Sequence, residues 1–458
     1  MHSTKRRYRW VAIRRAMMIV LGGLAAAACD PPRPLPPGAA SEDAAMVPAK
    51  VALPASGDVV LVGGWSSGNK STGTAEFFDP NTGKFQPTGS MATTAGGLSA
   101  ALLESGSILV AGGFGGSSKF THKGVTTTVK GSATNNLQLF DPTTGLFTAA
   151  TSPLSTPRFG ATATVLTSGK VLIAGGFDGT GTPLNTAEVF DPVTGSTSPA
   201  TNTMSTARVF HTATLVGTKV LLVGGASDTT GTPTATADLY DYSTNKFTPT
   251  SGNLGQGVGA HAAVLLNQGP DAGKVLILGG VSSTGIGLSP TNSIEIYDPG
   301  TETFTAPNQM QDLRAFPSAT VLDNGDVLIV GGFAYFSSSV NSTTGSLMSL
   351  FGSTLKSAEI YDPIARTFTC VNPTGKVSGG YFCPAAMSMA RAAHTASLFT
   401  SGPLAHDVLI AGGIGASKPN STSTELNEAE LYDPTTNAFK KTGSLKKPRG
   451  LHAAILLP

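Results

Sequence analysis

Seven short apolar runs punctuate the chain, and a pair of glycines closes each one. They read VVLVGG, SILVAGG, KVLIAGG, KVLLVGG, KVLILGG, DVLIVGG and DVLIAGG, with the pairs at Gly63-Gly64, Gly112-Gly113, Gly175-Gly176, Gly224-Gly225, Gly279-Gly280, Gly331-Gly332 and Gly412-Gly413. Short β-branched runs that stop at glycine predict buried strands. Successive pairs lie 49, 63, 49, 55, 52 and 81 residues apart, so one unit of about 50 residues repeats, with insertions.

Two more blocks recur in each unit. The first reads AEFFDP, LQLFDP, AEVFDP, ADLYDY, IEIYDP, AEIYDP and AELYDP, and a second aromatic follows a few residues later except in unit 3, where Thr197 stands. In the D-P-x-T-G form, Asp opens a turn, Pro presets φ and Gly supplies a left-handed residue, which predicts a hairpin. The last block, clearest in 204–216, 389–399 and 445–457, reads as one more strand. Each unit therefore predicts four strands. The last unit ends on a strand with no glycine-pair run after it, so Arg449 to Leu457 is expected to return to Val59–Val62 and close a ring; Val51 to Leu53 could compete for that slot.

The double glycine, the Tyr/Phe-Asp-Pro element and Arg-x-x-His together resemble the kelch repeat, over residues 50 to 458. The resemblance implies an all-β, seven-bladed kelch-type β-propeller with four-stranded antiparallel blades, closed by the C-terminal strand. It extends to the central propeller of galactose-oxidase-like proteins. Kelch repeats usually carry Trp at the outer aromatic; this chain has Phe there, and its tryptophans are Trp10 and Trp65.

Composition agrees with an all-β chain: 56 Gly and 30 Pro among 458 residues, and only 13% charged residues. The sparse charge argues against a nucleic-acid partner. Residues 1–28 read as a lipoprotein signal peptide. Lys5, Arg6, Arg7, Arg9, Arg14 and Arg15 precede an apolar run, Ala16 to Ala28, too short to span a bilayer. Ala26-Ala27-Ala28-Cys29 resembles a lipobox, which makes Cys29 the expected lipid attachment point. Residues 29–49 form a Pro-rich tether. Loss of the signal leaves 24 Lys+Arg against 28 Asp+Glu. The address expected is the bacterial cell envelope, with membrane contact through the lipid alone and the protein a monomer.

Candidate chemistry is thin. The resemblance raises a copper radical oxidase, but no Tyr-His pair is present; Phe210-His211 stands nearest and lacks the phenol. Cys370 and Cys383 lie in one insertion beside Tyr381, and in an exported chain they predict a disulfide. No sialidase Asp-box and no His-Glu-x-x-His occur, and Asp178 to Gly181 lacks the repeated acids of a calcium loop. No metal or cofactor is expected.

His211, His261, His394 and His452 share one repeat position, and Arg158, Arg208, Arg314, Arg391 and Arg449 share another three residues earlier, with Val258 in blade 5. One reading makes them a candidate binding face, a ring of cations and imidazoles at the channel mouth. The other makes them scaffold, with Arg paired to Glu76, Glu188, Glu295, Glu359 or Glu430; recurrence from repeat to repeat favours it. Under the first reading, Arg208→Ala with Arg391→Ala weakens binding and leaves stability nearly unchanged.

Insertions gather at Phe114 to Asn135, Phe333 to Ser357, Val371 to Met389 and Ile414 to Asn427, all on one face of a four-stranded meander. The function expected is non-catalytic binding or scaffolding of an envelope protein or glycan on that face. The alternative is a carbohydrate-active enzyme such as a kelch-type sugar mutarotase or lyase.

Overall fold

A computed structural model describes residues 52–66, 70–115, 118–122, 125–129, 131–284, 287–334, 353–373, 382–415 and 424–458. The expected signal peptide over 1–28, Cys29, the expected tether over 29–49 and Tyr381 lie outside the described residues.

Seven four-stranded antiparallel sheets carry the seven units. Blade 2 is representative: innermost Ser99–Leu102, then Ile108–Ala111, Leu137–Asp141 and outermost Leu146–Ala149. The innermost strands of successive blades touch in order around an axis, and Ala453–Leu456 touches Ser99–Leu102 to complete the circle. Blade 1 draws its innermost strand from the chain terminus: Ala453–Leu456 pairs with Val59–Val62 in the register Val59↔Leu456 to Val62↔Ala453. Ala52 and Leu53 form no strand, so the C-terminal segment holds the contested slot. The architecture is a β-propeller, and among the described residues it comprises seven four-stranded sheets, the first completed by the terminal strand.

The second strand is buried along its whole length in six blades, and in blade 4 from Val220 on, because sheets cover both of its faces. In blade 1, Val60 and Val62 pack toward blade 2, whereas Val59 and Leu61 pack toward blade 7. This is why the sequence shows continuous apolar runs where a half-exposed strand would alternate.

The aromatic positions meet across the outer hairpin. Phe78–Phe85, Phe140–Phe147, Tyr240–Phe247, Tyr297–Phe304, Tyr361–Phe368 and Tyr432–Phe439 have ring centroids 4.8–5.1 Å apart. Such pairs each contribute roughly 0.5–1.5 kcal/mol beyond area burial. The turn between them departs from the glycine rule. Gly83, Gly145 and Gly195 take the left-handed position behind Phe, but Asn245, Glu302, Arg366 and Asn437 take it behind Tyr. In blades 4 and 7 the tyrosine hydroxyl donates to the Asn side chain, Tyr240 to Asn245 at 2.7 Å and Tyr432 to Asn437 at 2.9 Å. The hydroxyl thus selects a side chain that both tolerates positive φ and accepts a hydrogen bond.

The glycine pair is a close-approach device. Gly175 and Gly176 have φ of 64° and 93°. A Cβ on Gly175 would lie 2.4 Å from the Arg208 carbonyl oxygen and 2.7 Å from His211 Cε1, both of the next blade. A Cβ on Gly176 would lie 2.9 Å from the Phe159 oxygen of its own blade. The pair is wedged between two blade entrances, and only glycine has both the backbone freedom and the space.

Cys370 and Cys383 form a disulfide with Cα atoms 5.4 Å apart. It ties the end of the outer strand of blade 6 to the segment that leads into blade 7.

Candidate binding site at the mouth of the channel

The meander sorts the connections onto two faces. Innermost-to-second and third-to-outer links open on one face and are short. Second-to-third and blade-to-blade links open on the other, where residues 112–136, 331–357, 371–394 and 412–428 run between strands. The recurring Arg and His residues enter the innermost strands from this second face.

Every recurring arginine is 0–1% exposed. Arg449 donates to the carbonyls of Gly63 (2.7 Å) and Thr74 (2.9 Å), to Thr74 Oγ1 (3.1 Å) and to Glu76 Oε1 (2.6 Å). Arg158 repeats the pattern on Gly175, Thr186 and Glu188, and Arg314 on Gly331, Ser357 and Glu359. Arg391 holds Gly412, Glu428 and Glu430. Arg208 pairs with Asp238 at 2.5 Å, and Asp238 stands in the column of the glutamates. Each acid also accepts N–H groups from the blade-entry segment, as Glu76 does from Lys446 and Lys447. The guanidinium therefore clamps the entry segment to the second and third strands of the blade that it opens.

This corrects the expectation that Arg158, Arg208, Arg314, Arg391 and Arg449 form a binding face: each guanidinium is buried under the blade entrance and held by carbonyls and a carboxylate, out of reach of a ligand in solvent. The two blades without the arginine behave as the pairing demands. Blade 2 has Ala95 for Arg and neutral Gln138 for the acid. Blade 5 has Val258 but keeps Glu295, whose carboxyl burial pushes above the usual range.

The histidines are stitched between neighbouring blades. Nε2 of His211, His261, His394 and His452 is hydrogen-bonded to the hydroxyl of Thr162, Thr212, Ser318 and Thr395 in the preceding blade, at 3.0, 2.8, 2.8 and 3.0 Å. Burial, reinforced by the nearby arginines, pushes His261 and His452 down to about 3, and His211 and His394 fall in the same direction. The imidazoles are neutral. They hold the channel together and supply no positive charge at its mouth. Pro317, Leu98 and Ala161 occupy the same position in blades 6, 2 and 3, which lack the stitch.

The residue before each histidine position has no sequence signature, yet it closes the channel mouth. Gly97, Gly160, Phe210, Ala260, Phe316, Ala393 and Leu451 all have φ between 50° and 67°. Their backbone groups form one head-to-tail circle. Gly160 N–H donates to Gly97 O, Phe210 to Gly160, Ala260 to Phe210, Phe316 to Ala260, Ala393 to Phe316, Leu451 to Ala393 and Gly97 to Leu451, at 2.8–3.1 Å. Gly64, Gly113, Gly176, Gly225, Gly280, Gly332 and Gly413 add a second circle by donating to the next blade's carbonyl at 2.7–2.9 Å. Five left-handed residues that are not glycine store strain, on the order of 1–3 kcal/mol each, and the circle over-determines them.

Around this iris lies an apolar floor made of the residues that follow each glycine pair: Trp65, Phe114, Phe177, Ala226, Val281, Phe333 and Ile414. Aromatic contacts cross it from Trp65 through Phe114, Phe159 and Phe210 to Phe316, with centroids 5.4–5.6 Å apart. A cavity of about 240 Å³ opens at the iris, lined by Phe210, Phe316, Leu451, Pro317, two alanines and the four neutral histidines. Its walls carry no ionised group.

Comparison with known proteins agrees with this geometry. The chain matches the KLHDC2/KLHL20/DRC7 Kelch-repeats domain over residues 114–332. Among solved structures it is similar to a novel fungal alcohol oxidase of the AA5 family in complex with copper. That match has 18% identity and a TM-score of 0.53, and it covers 82% of this chain and 71% of that one. It is also similar to the structure of YjhT, at 16% identity and a TM-score of 0.48, over 64% of this chain and 94% of that one. No curated protein matches. The family model spans just under half of the chain, and the likeness to the oxidase shows the fold alone: a β-propeller.

Proposed function

We propose that the protein is a non-catalytic binding or scaffolding propeller of the cell envelope, which recognises a protein or glycan on its long-loop face. The observation that carries this reading is the asymmetry of the two faces. One carries short links of at most nine residues, and the other carries the long connections of a propeller with a rigid apolar floor, the usual arrangement for recognition loops on a fixed scaffold. Kelch domains generally mediate protein interactions, which agrees.

The decisive comparison pairs substitutions on the two faces. Leu313 and Phe382 are exposed on the long-loop side, whereas Val193 and Ile364 are exposed in the tight turns. Mature protein is screened against envelope proteins and glycans. Leu313→Asp with Phe382→Asp is expected to lower affinity at least tenfold with an unchanged melting temperature, and Val193→Asp with Ile364→Asp is expected to have no effect. The opposite pattern reverses the face assignment. Turnover of a sugar, abolished by one substitution in the channel, replaces this reading with the enzyme.

Anchoring through Cys29 belongs to the same proposal. Ala52 to Asp58 enter blade 1 on the tight-turn side, where Gly57 N–H meets Leu457 O at 3.0 Å. A lipid at Cys29 would therefore be joined to the propeller from the side opposite the long loops. Cells fed a fatty-acid analogue are expected to label the wild type and not Cys29→Ser; equal labelling, or none, overturns the anchor.

A further inference from the structure

Blade 6 departs from the other blades in one buried corner. Arg314 faces two carboxylates, Glu359 at 3.0 Å and Asp312 at 3.5 Å, where each of the other four arginines pairs with one. Asp312 stands where the other arginine-bearing blades have Thr156, Thr206, Met389 and Lys447. The same corner holds the Cys370–Cys383 disulfide. Asp312, Glu359 and Cys383 are all buried, and their ligand atoms lie within 4.8 Å of one another. The fourth donor, Cys370, is bonded to Cys383.

We propose that, when the disulfide is reduced, Cys370, Cys383, Asp312 and Glu359 form a four-ligand site for a thiophilic divalent cation of the Zn²⁺ type. Cys383 and the two carboxylates at such spacing suit tetrahedral zinc, and Cys370, once freed from Cys383, is the adjacent sulfur that completes the set. The charge is conserved. In the disulfide form, two carboxylates against one guanidinium leave the corner at −1. A dithiol reductant delivers two electrons and two protons; the S–S bond breaks, two thiols form, and the reductant closes its own disulfide. Cation binding then sends both thiol protons to solvent, and two thiolates with a divalent cation leave the corner again at −1.

The carboxylates have room for the added bond. A carboxylate has about four lone-pair sites, and Glu359 Oε2 accepts only the Gln311 N–H, at 2.7 Å. On Asp312, the contacts to Cys383 N–H and Arg314 are long, 3.4 and 3.5 Å, and yield most easily. Arg314 keeps its bonds to the Gly331 and Ser357 carbonyls. The corner thus exchanges one crosslink for another without moving the blade.

The test uses the mature protein reduced by a phosphine, which leaves as the phosphine oxide, and then titrated with Co²⁺ without oxygen. One equivalent is expected to give a thiolate-to-cobalt charge-transfer band with the visible bands of a tetrahedral site. Oxidised protein and Cys383→Ser are expected to give neither. Asp312→Asn keeps both thiols and is expected to weaken Co²⁺ binding at least tenfold. Because Glu359 also anchors Arg314, X-ray absorption of the zinc-loaded wild type reports the oxygen donors without a variant: a mixed oxygen and sulfur shell is expected. Absence of the charge-transfer band in reduced, folded protein overturns the site. So does an all-sulfur shell, or an affinity unchanged in Asp312→Asn.

Discussion

Acidification from pH 7 to pH 4 is expected to unfold the propeller, with the channel histidines as the cause. An unfolded histidine takes up a proton near pH 6.5, whereas folded His261 and His452 refuse it until about pH 3. Between those values the unfolded state binds more protons, so stability falls as pH falls. The slope is about 1.4 kcal/mol per pH unit per imidazole, or roughly 7 kcal/mol for these two between pH 6.5 and 4. His211 and His394 add in the same direction. Domains are stable by about 5–15 kcal/mol, so the effect is comparable with the whole.

Four acids oppose it. Asp58, pushed up to about 6 by burial, and Glu295, Asp326 and Glu425, raised by burial as well, bind protons preferentially in the folded state, so each adds stability as pH falls. The Asp58 contribution is at most about 3 kcal/mol, too small to cancel the imidazoles. Thermal melts across pH 7.5 to 4 decide the matter. A melting temperature that stays level between pH 6.5 and 4.5 sinks the prediction, and His261→Gln with His452→Gln is expected to remove about half of the slope.

Arg449→Met is expected to lower stability by about 3–5 kcal/mol, because it strands the buried Glu76 carboxylate without its cation. The loss should concentrate where the chain closes, since Arg449 joins the last segment to Gly63 and Thr74 of the first blade. Hydrogen exchange of Val59–Val62 and Ala453–Leu456 is expected to accelerate before that of blades 3 to 5. Arg449→Met combined with Glu76→Met removes the stranded charge and is expected to recover most of the stability. If the double variant is no more stable than the single, the clamp works through the carbonyl bonds and not the ion pair. The same physics predicts that Arg208→Ala with Arg391→Ala destabilises the fold, contrary to the expectation drawn from their repeat position alone.

Recurrence in the sequence located the scaffold but not its bonds. The apolar runs, glycine pairs and Tyr/Phe-Asp-Pro blocks were legible because each repeat must solve the same local problem, a strand buried on both faces followed by a tight turn. The disulfide was legible from two cysteines in one insertion. Asp238 was legible as well, since it stands in the glutamate column, although ADLYD hides it from a search for Glu. The seven left-handed residues were not. Phe210, Phe316 and Leu451 are poor choices for positive φ on local grounds, and only the closed circle of N–H to carbonyl bonds holds them there.

Strand content and repeat number follow from short-range pattern, because period and turn chemistry act over a few residues. The choice between Val51 to Leu53 and the C-terminal strand for blade 1 does not, since Val59 finds Leu456 from the other end of the chain. Whether Arg and His point to solvent or into the fold does not, because a residue's partner there lies on a different strand or in a different blade. Arg449 and Glu76 are separated by 373 positions and meet at 2.6 Å, and His452 finds Thr395 only once seven sheets have closed into a ring. Burial then sets the chemistry: the same imidazoles that read as a cationic rim along the chain are neutral pins inside it, because desolvation penalises the charged form more than any neighbour repays.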